Sequence, residues 1–324
     1  MTSAVFLETA SKCHNEILCI ISGRQIGSIA ETTSLMVTVK LDPEEHKELF
    51  CRVFIDTHIK FTAEELPWPD LEPEVLARLK SLPIWEEAVV TESETAMKVT
   101  ALGKAEPDPL IAEAISLQGY EESRHAQMLR LLTRRCDIPV CREPDLTPPK
   151  DPYWAFLRTG YGECFDSFFG FGLFALAKRS GFFTPALVEF FEPVMQEEAR
   201  HILFIANWIA YRQAEMSAIK RPGYLFTRGL ALWLQSLRRV ATAMKVKGAA
   251  NEPETLETGF TMVAHQGFGN FSLSSYLETC LKENDRRLAP YDYRLLRPWV
   301  VPALSRRLLR ALGGKPEDSG PRDS

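Results

Sequence analysis

The chain has 324 residues, 45% hydrophobic and 25% charged, with a formal net charge of -5. That is the composition of a soluble globular protein with room for one large domain or two, and its acidic balance argues against a nucleic-acid partner. No apolar run reaches the ~18–20 residues of a membrane-spanning helix, and the N-terminal stretch MTSAVFLETASKCHNEILCIISGR lacks the positively charged start of a secretory signal.

Residues 1–82 form an N-terminal extension, mixed or helical. EILCIISG and SLMVTVKL are candidate short strands, and DPEEHKELFCRVFIDTHI predicts a helix opened by Asp42 with Pro43 at its first position. PWPDLEP then breaks the chain. From Pro83 the pattern is helical. Helices are expected at about 83–102, 110–135, 152–178 and 186–216, with turns at 103–109 and 179–185 and a proline-rich link, CREPDLTPPKDP, in the middle. Short turns force antiparallel neighbours, so 83–216 reads as two hairpins closing into one four-helix bundle. Residues 217–312 are expected to add helices packed on that bundle, and 313–324 to be a disordered tail. Seven cysteines form no CxxC pair, so reduced thiols in a cytoplasmic protein are expected, without cysteine-bound zinc or iron.

The two hairpins repeat a pentapeptide: EESRH at 121–125 in the second helix and EEARH at 197–201 in the fourth, at the same offset as the turns. A single Glu-x-x-His is weak evidence, but two fuller copies at matching places are not a chance decoration. Residues i and i+3 share a helix face, so Glu122 with His125 and Glu198 with His201 can each present a carboxylate and an imidazole to a metal ion. Two divalent ions need more negative charge, which the other two helices must supply. In the third helix Glu163 leads, lying in YGECFDSFFGFGLF where a bare carboxylate would be costly, and Asp166 is one turn away as a ligand or a supporting group. In the first helix the candidates are Glu86, Glu87, Glu92 and Glu94. Symmetry between hairpins favours Glu87. Helical phase favours Glu92, which falls on the apolar stripe of Ile84, Trp85, Ala88, Val89, Ala96 and Val99, whereas Glu87 shares a face with Thr91, Glu94 and Lys98. Phase decides for Glu92, because a ligand must point inward.

With these residues the chain resembles the ferritin-like di-iron carboxylate superfamily over roughly 83–216, and the Arg before each His is similar to the soluble acyl-carrier-protein desaturases. The resemblance implies an all-α, ferritin-like four-helix bundle holding two iron ions, or manganese and iron, with O2 as co-substrate. It implies Glu122 and Glu198 as bridging carboxylates, His125 and His201 as one nitrogen ligand per metal, and Glu92 and Glu163 as terminal ligands. A ligating His usually gives its second N–H to a carboxylate, so Glu197 is expected to hold His125 and Glu121 to hold His201.

Other features carry plainer readings beside functional ones. His14, His46, His58 and His265 have no partner pattern and read as structural or exposed. The aromatics of the third helix read as core, with an apolar substrate pocket as the functional reading. Gly160, Gly162, Gly170 and Gly172 favour some irregularity in that helix, such as a π-bulge. Residues 217–249 hold no Asp or Glu and seven Lys or Arg. They read as a solvated face, or functionally as a dock for an acidic carrier protein or an anionic membrane surface. The long segments flanking the bundle exceed what iron storage needs. The expected activity is therefore an O2-dependent oxidation of an apolar small-molecule or acyl substrate, by hydroxylation, N-oxygenation or desaturation, with an external electron donor and room for a homodimer. The alternative is a ferroxidase or iron-binding protein without an organic substrate. A rubrerythrin-like peroxidase lacks its CxxC here, and the position where ribonucleotide reductase carries its radical tyrosine is Leu129.

Overall fold

The computed structural model describes residues 41–66, 68–82, 84–249 and 272–313, with 238–249 as backbone only. The strands expected in EILCIISG and SLMVTVKL (apart from Leu41), His14, His265 and the tail from 314 lie outside the described residues. Among the described residues all regular structure is helical: α1 (Pro43–Asp56), α2 (Pro73–Lys80), α3 (Trp85–Ala105), α4 (Pro109–Arg135), α5 (Pro152–Arg179), α6 (Pro185–Ala214), α7 (Arg221–Ala249), α8 (Leu273–Leu288) and α9 (Val300–Ala311). This is the expected all-α architecture.

Four helices start with one local device. Asp42, Asp108, Asp151 and Thr184 each stand before a proline, and each side chain accepts a backbone N–H of the first turn. The proline lacks only an N–H that would be orphaned there, while the cap satisfies another that would otherwise be orphaned. Three of the four bundle helices begin this way, which fixes where each hairpin reverses.

Helices α3 and α4 pack antiparallel at close range. A Cβ on Gly103 would lie 2.7 Å from Ser116 Oγ, and one on Gly119 would lie 2.7 Å from Thr100 Oγ1. The hairpin α5–α6 packs on it through α3–α5 and α4–α6 contacts, closing the bundle. Helix α5 runs unbroken from Pro152 to Arg179, so the irregularity expected from its glycines is absent. They serve close packing instead: Gly160 admits Ile205 of α6 and Gly172 admits Cys280 of α8. The α5 aromatics Phe156, Phe168, Phe171 and Phe174 are buried in the core.

The flanking segments wrap the bundle. Helix α1 packs against α4 and α6 with Phe50, Cys51 and Phe54 buried. His46 Nε2 donates to Asn207 Oδ1 of α6 at 2.8 Å. Leu79 and Leu82, at and after the end of α2, join Leu132, Leu187 and Phe190 in one apolar cluster. Helices α7, α8 and α9 pack on α5.

Candidate metal centre

The two EExRH copies meet across the bundle, with the His125 and His201 rings 5.6 Å apart between centroids. Each imidazole is gripped from behind by the first acid of the other copy. His125 Nε2 donates to Glu197 Oε2 at 2.8 Å, and His201 Nε2 donates to Glu121 Oε2 at 2.8 Å. With Nε2 engaged in these bonds, each ring turns its Nδ1 the opposite way.

That direction holds carboxylates. His125 Nδ1 lies 3.2 Å from Glu198 Oε1, 3.6 Å from Glu92 Oε2 and 4.0 Å from Glu122 Oε2. His201 Nδ1 lies 3.1 Å from Glu122 Oε1 and 3.8 Å from Glu198 Oε1. Glu122 and Glu198 are thus common to both imidazoles. One candidate ligand atom from each of Glu92, Glu122, His125 and Glu198 lies within 4.8 Å of the others. Glu163 borders the same space from α5. It accepts Thr95 Oγ1 at 3.4 Å, and Glu122, Glu198 and Glu92 all act on its charge. Asp166 is exposed and acts on Glu163 as a further like charge. Glu87 is also exposed and forms an ion pair with Arg142. Phase, not hairpin symmetry, describes the first helix.

The electrostatics are those of an acceptor set short of positive charge. Burial raises Glu92 to about 8 despite its contact with His125. Burial, reinforced by Glu122 and Glu198, holds Glu163 well above the usual carboxylate range. For Glu122 burial is outweighed by His201 and His125, and the carboxylate falls below its ordinary value. Burial would lower both imidazoles. The surrounding acids win: Glu197, Glu198 and Glu92 raise His125, and Glu122 and Glu121 raise His201. His125 Nδ1, His201 Nδ1 and Glu198 Oε1 are buried without a hydrogen-bond partner. Acceptors facing acceptors are stable only with protons or a cation between them. The donor set of nitrogen and carboxylate oxygen suits a first-row divalent ion, so these residues fit a metal.

No family model matches the chain, and no curated protein or solved structure matches it either.

Several supporting residues were not visible as such in the sequence. Arg124 Nη2 pairs with Glu197 and Arg200 Nη1 with Glu121 at 2.8 Å. The arginines are held by the chain that follows α1. Arg124 Nη1 donates to the carbonyls of Ile59 and Phe61 at 3.1 and 2.8 Å, and Arg200 Nε to Thr57 Oγ1 at 3.0 Å. His58 Nδ1 donates to Glu121 Oε1 at 2.5 Å, so it has a role that its isolation in the sequence concealed. His58, Glu121 and Glu197 also bring ligand atoms within 4.8 Å of one another. Every carboxylate oxygen of that trio already accepts from an arginine or an imidazole, so it is an ion-pair network. Gln118 Nε2 donates to Glu122 Oε1 and Ser167 Oγ to Glu198 Oε2, each at 3.3 Å. The signal for Gln118 was its place one helical turn before Glu122; the signal for Ser167 was its place one turn after Glu163.

Proposed function

We propose that Glu92, Glu122, His125, Glu163, Glu198 and His201 hold two metal ions, iron or manganese with iron, in a ferritin-like bundle. The chain would then be an O2-activating oxidoreductase acting on an apolar organic substrate. In this reading Glu122 and Glu198 would serve as the central carboxylates, His125 and His201 as the nitrogen ligands, and Glu92 and Glu163 as the outer carboxylates. The observation that carries it is the pair of buried Nδ1 atoms without partners, both turned toward the same two carboxylates. Bound there, such ions would supply the electrons that reduce O2 and the oxidising power to attack an unactivated C–H or N–H bond.

The chain's own residues would do the rest. Glu197 and Glu121 orient the imidazoles, and Arg124 and Arg200 in turn hold those two acids in place. The imidazole side is sealed: Glu121, Glu197 and His201 have no exposed side-chain surface, while Glu92 retains 24%. O2 and substrate are therefore expected to approach past α3 and α5, with an external donor supplying electrons. The test is the iron-reconstituted protein with a reductant, offered fatty acyl, aryl-amine and other apolar compounds, with products followed by mass spectrometry. An O2-dependent oxidised product is expected. Iron oxidation with no organic product on any substrate would replace this reading by an iron-handling one.

A further inference from the structure

Helix α7 carries an apolar face that nothing in the metal centre explains. Ala231 and Gln235 are buried on its inner side. There Arg228 Nε donates to Tyr161 Oη at 3.1 Å and Gln235 Nε2 to the Arg158 carbonyl at 2.7 Å, both on α5. On the opposite side Phe226, Leu230, Trp233 and Leu237 follow one another at helical spacing, exposed by 69%, 37%, 38% and 44%. At ~100° per residue these four fall in one stripe pointing away from the bundle. Ile219, just before the helix, is 92% exposed.

Charge says what the stripe faces. Residues 217–249 contain seven Lys or Arg and no acid, in a chain whose net charge is -5. A linear stripe of Phe, Leu and Trp on a helix with only basic charges has the chemistry of an interfacial helix: large apolar groups enter the lipid while lysine and arginine meet anionic headgroups. An acidic protein would answer the charge but would also need an apolar groove to take the four side chains, whereas an anionic bilayer offers charge and hydrocarbon together. No described helix is long and apolar enough to cross a membrane, so the contact would be peripheral.

We propose that α7 docks the protein on an anionic membrane surface through Phe226, Leu230, Trp233 and Leu237. Because α7 rests on α5, which carries Glu163, docking would bring the bilayer beside the face where an apolar substrate is expected to enter. That last step rests on the oxidoreductase reading; the docking surface does not.

The test is co-flotation of the full chain with vesicles of phosphatidylcholine alone or mixed with phosphatidylserine, at low and high salt. Binding is expected with the anionic vesicles, to weaken with salt, and to be far lower on neutral ones. The variant Phe226→Ser/Trp233→Ser is expected to lose about tenfold or more of that binding while keeping its helical circular dichroism, since two apolar side chains no longer insert. A second variant, Lys220→Glu/Arg221→Glu, is expected to lose the preference for anionic lipid. Absent binding, or binding that the aromatic variant leaves unchanged, overturns the proposal. So does a dimer in solution that the same variant dissolves, which would make the stripe a contact between two copies. So does binding to an acidic acyl-carrier protein without binding to vesicles. All of these readouts are independent of metal and activity, so their failure would leave the oxidoreductase reading standing.

Discussion

The Arg200 guanidinium donates to Glu121 Oε1 at 2.8 Å, and Glu121 holds His201, the residue that follows Arg200 in the chain. The arrangement is reciprocal: Arg124 pairs with Glu197, which holds His125. Each pentapeptide therefore lends its first acid to the Arg-His pair of the other. For Glu121 burial works to raise the carboxyl, and His201 and Arg200 outweigh it and hold it well below the usual carboxylate range. Both buried acids are aimed by groups from across the bundle, so neither helix forms its half of the centre alone.

Breaking that exchange should cost both stability and metal affinity. In Glu197→Gln the buried Arg124 loses its counter-charge, and the expected loss is about 3–5 kcal/mol of stability. Metal affinity should fall about 10–100-fold as His125 loses its charged orienting partner. Chemical denaturation and competition with a metal chelator read these separately. Adding Arg124→Met should restore part of the stability and none of the affinity. Unchanged stability and affinity in Glu197→Gln would mean that the network does not support the site.

Asp108 ties the N-terminal segment to the bundle. It caps α4 through Leu110 and Ile111 and pairs with Lys47 of α1 at 2.8 Å. Burial would raise its pKa, but Lys47 and the Ile111 N–H outweigh it and lower it. A depressed carboxylate contributes stability that is present above its unfolded value near pH 4 and is lost as pH falls through the folded value. Asp108→Ala should therefore destabilise at neutral pH, by about 1 kcal/mol for the cap alone, and show a shallower loss below pH 4 than the wild type. Asp108→Asn, which keeps a capping oxygen, should lose less. Thermal unfolding between neutral pH and about pH 3 measures both. Equal acid sensitivity in wild type and Asp108→Ala would refute the linkage.

The spacing of α3 from α4 depends on two glycines. At Gly119 a Cβ would meet not only Thr100 Oγ1 but also the Thr100 backbone nitrogen at 3.2 Å, which cannot rotate away. Gly119→Val is expected to destabilise by about 1–3 kcal/mol and to push α3, with Glu92, away from the centre. Reduced stability with weakened metal binding is the expected pair of results, read by denaturation and metal titration. Wild-type values for both would show that the close approach has no part in the site.

Much of this was legible because local rules and tertiary structure agree. The Asp42–Pro43 pair marks the start of α1, the turns at 103–109 and 179–185 mark where the hairpins reverse, and the matched pentapeptides mark the faces that meet. Glu92 could be separated from Glu87 by helical phase because α3 buries Trp85, Val89, Ala96 and Val99. What the sequence hid is what depends on contacts distant along the chain. The basic residue in each motif reads as a solvated charge until its acid is seen across the bundle. His58 reads as isolated until the segment after α1 is laid over α4 and α6. The α5 glycines read as weak helix, because sequence cannot show Ile205 and Cys280 arriving against them.

The most direct test of the central claim is the metal content of the chain after anaerobic loading with Fe(II) and removal of excess metal. The account predicts about two ions per chain. It also predicts that His201→Ala, which removes the imidazole nitrogen 3.1 Å from Glu122 Oε1, loses at least one of them. Well under two ions in the wild type, or the same content in His201→Ala, would contradict it.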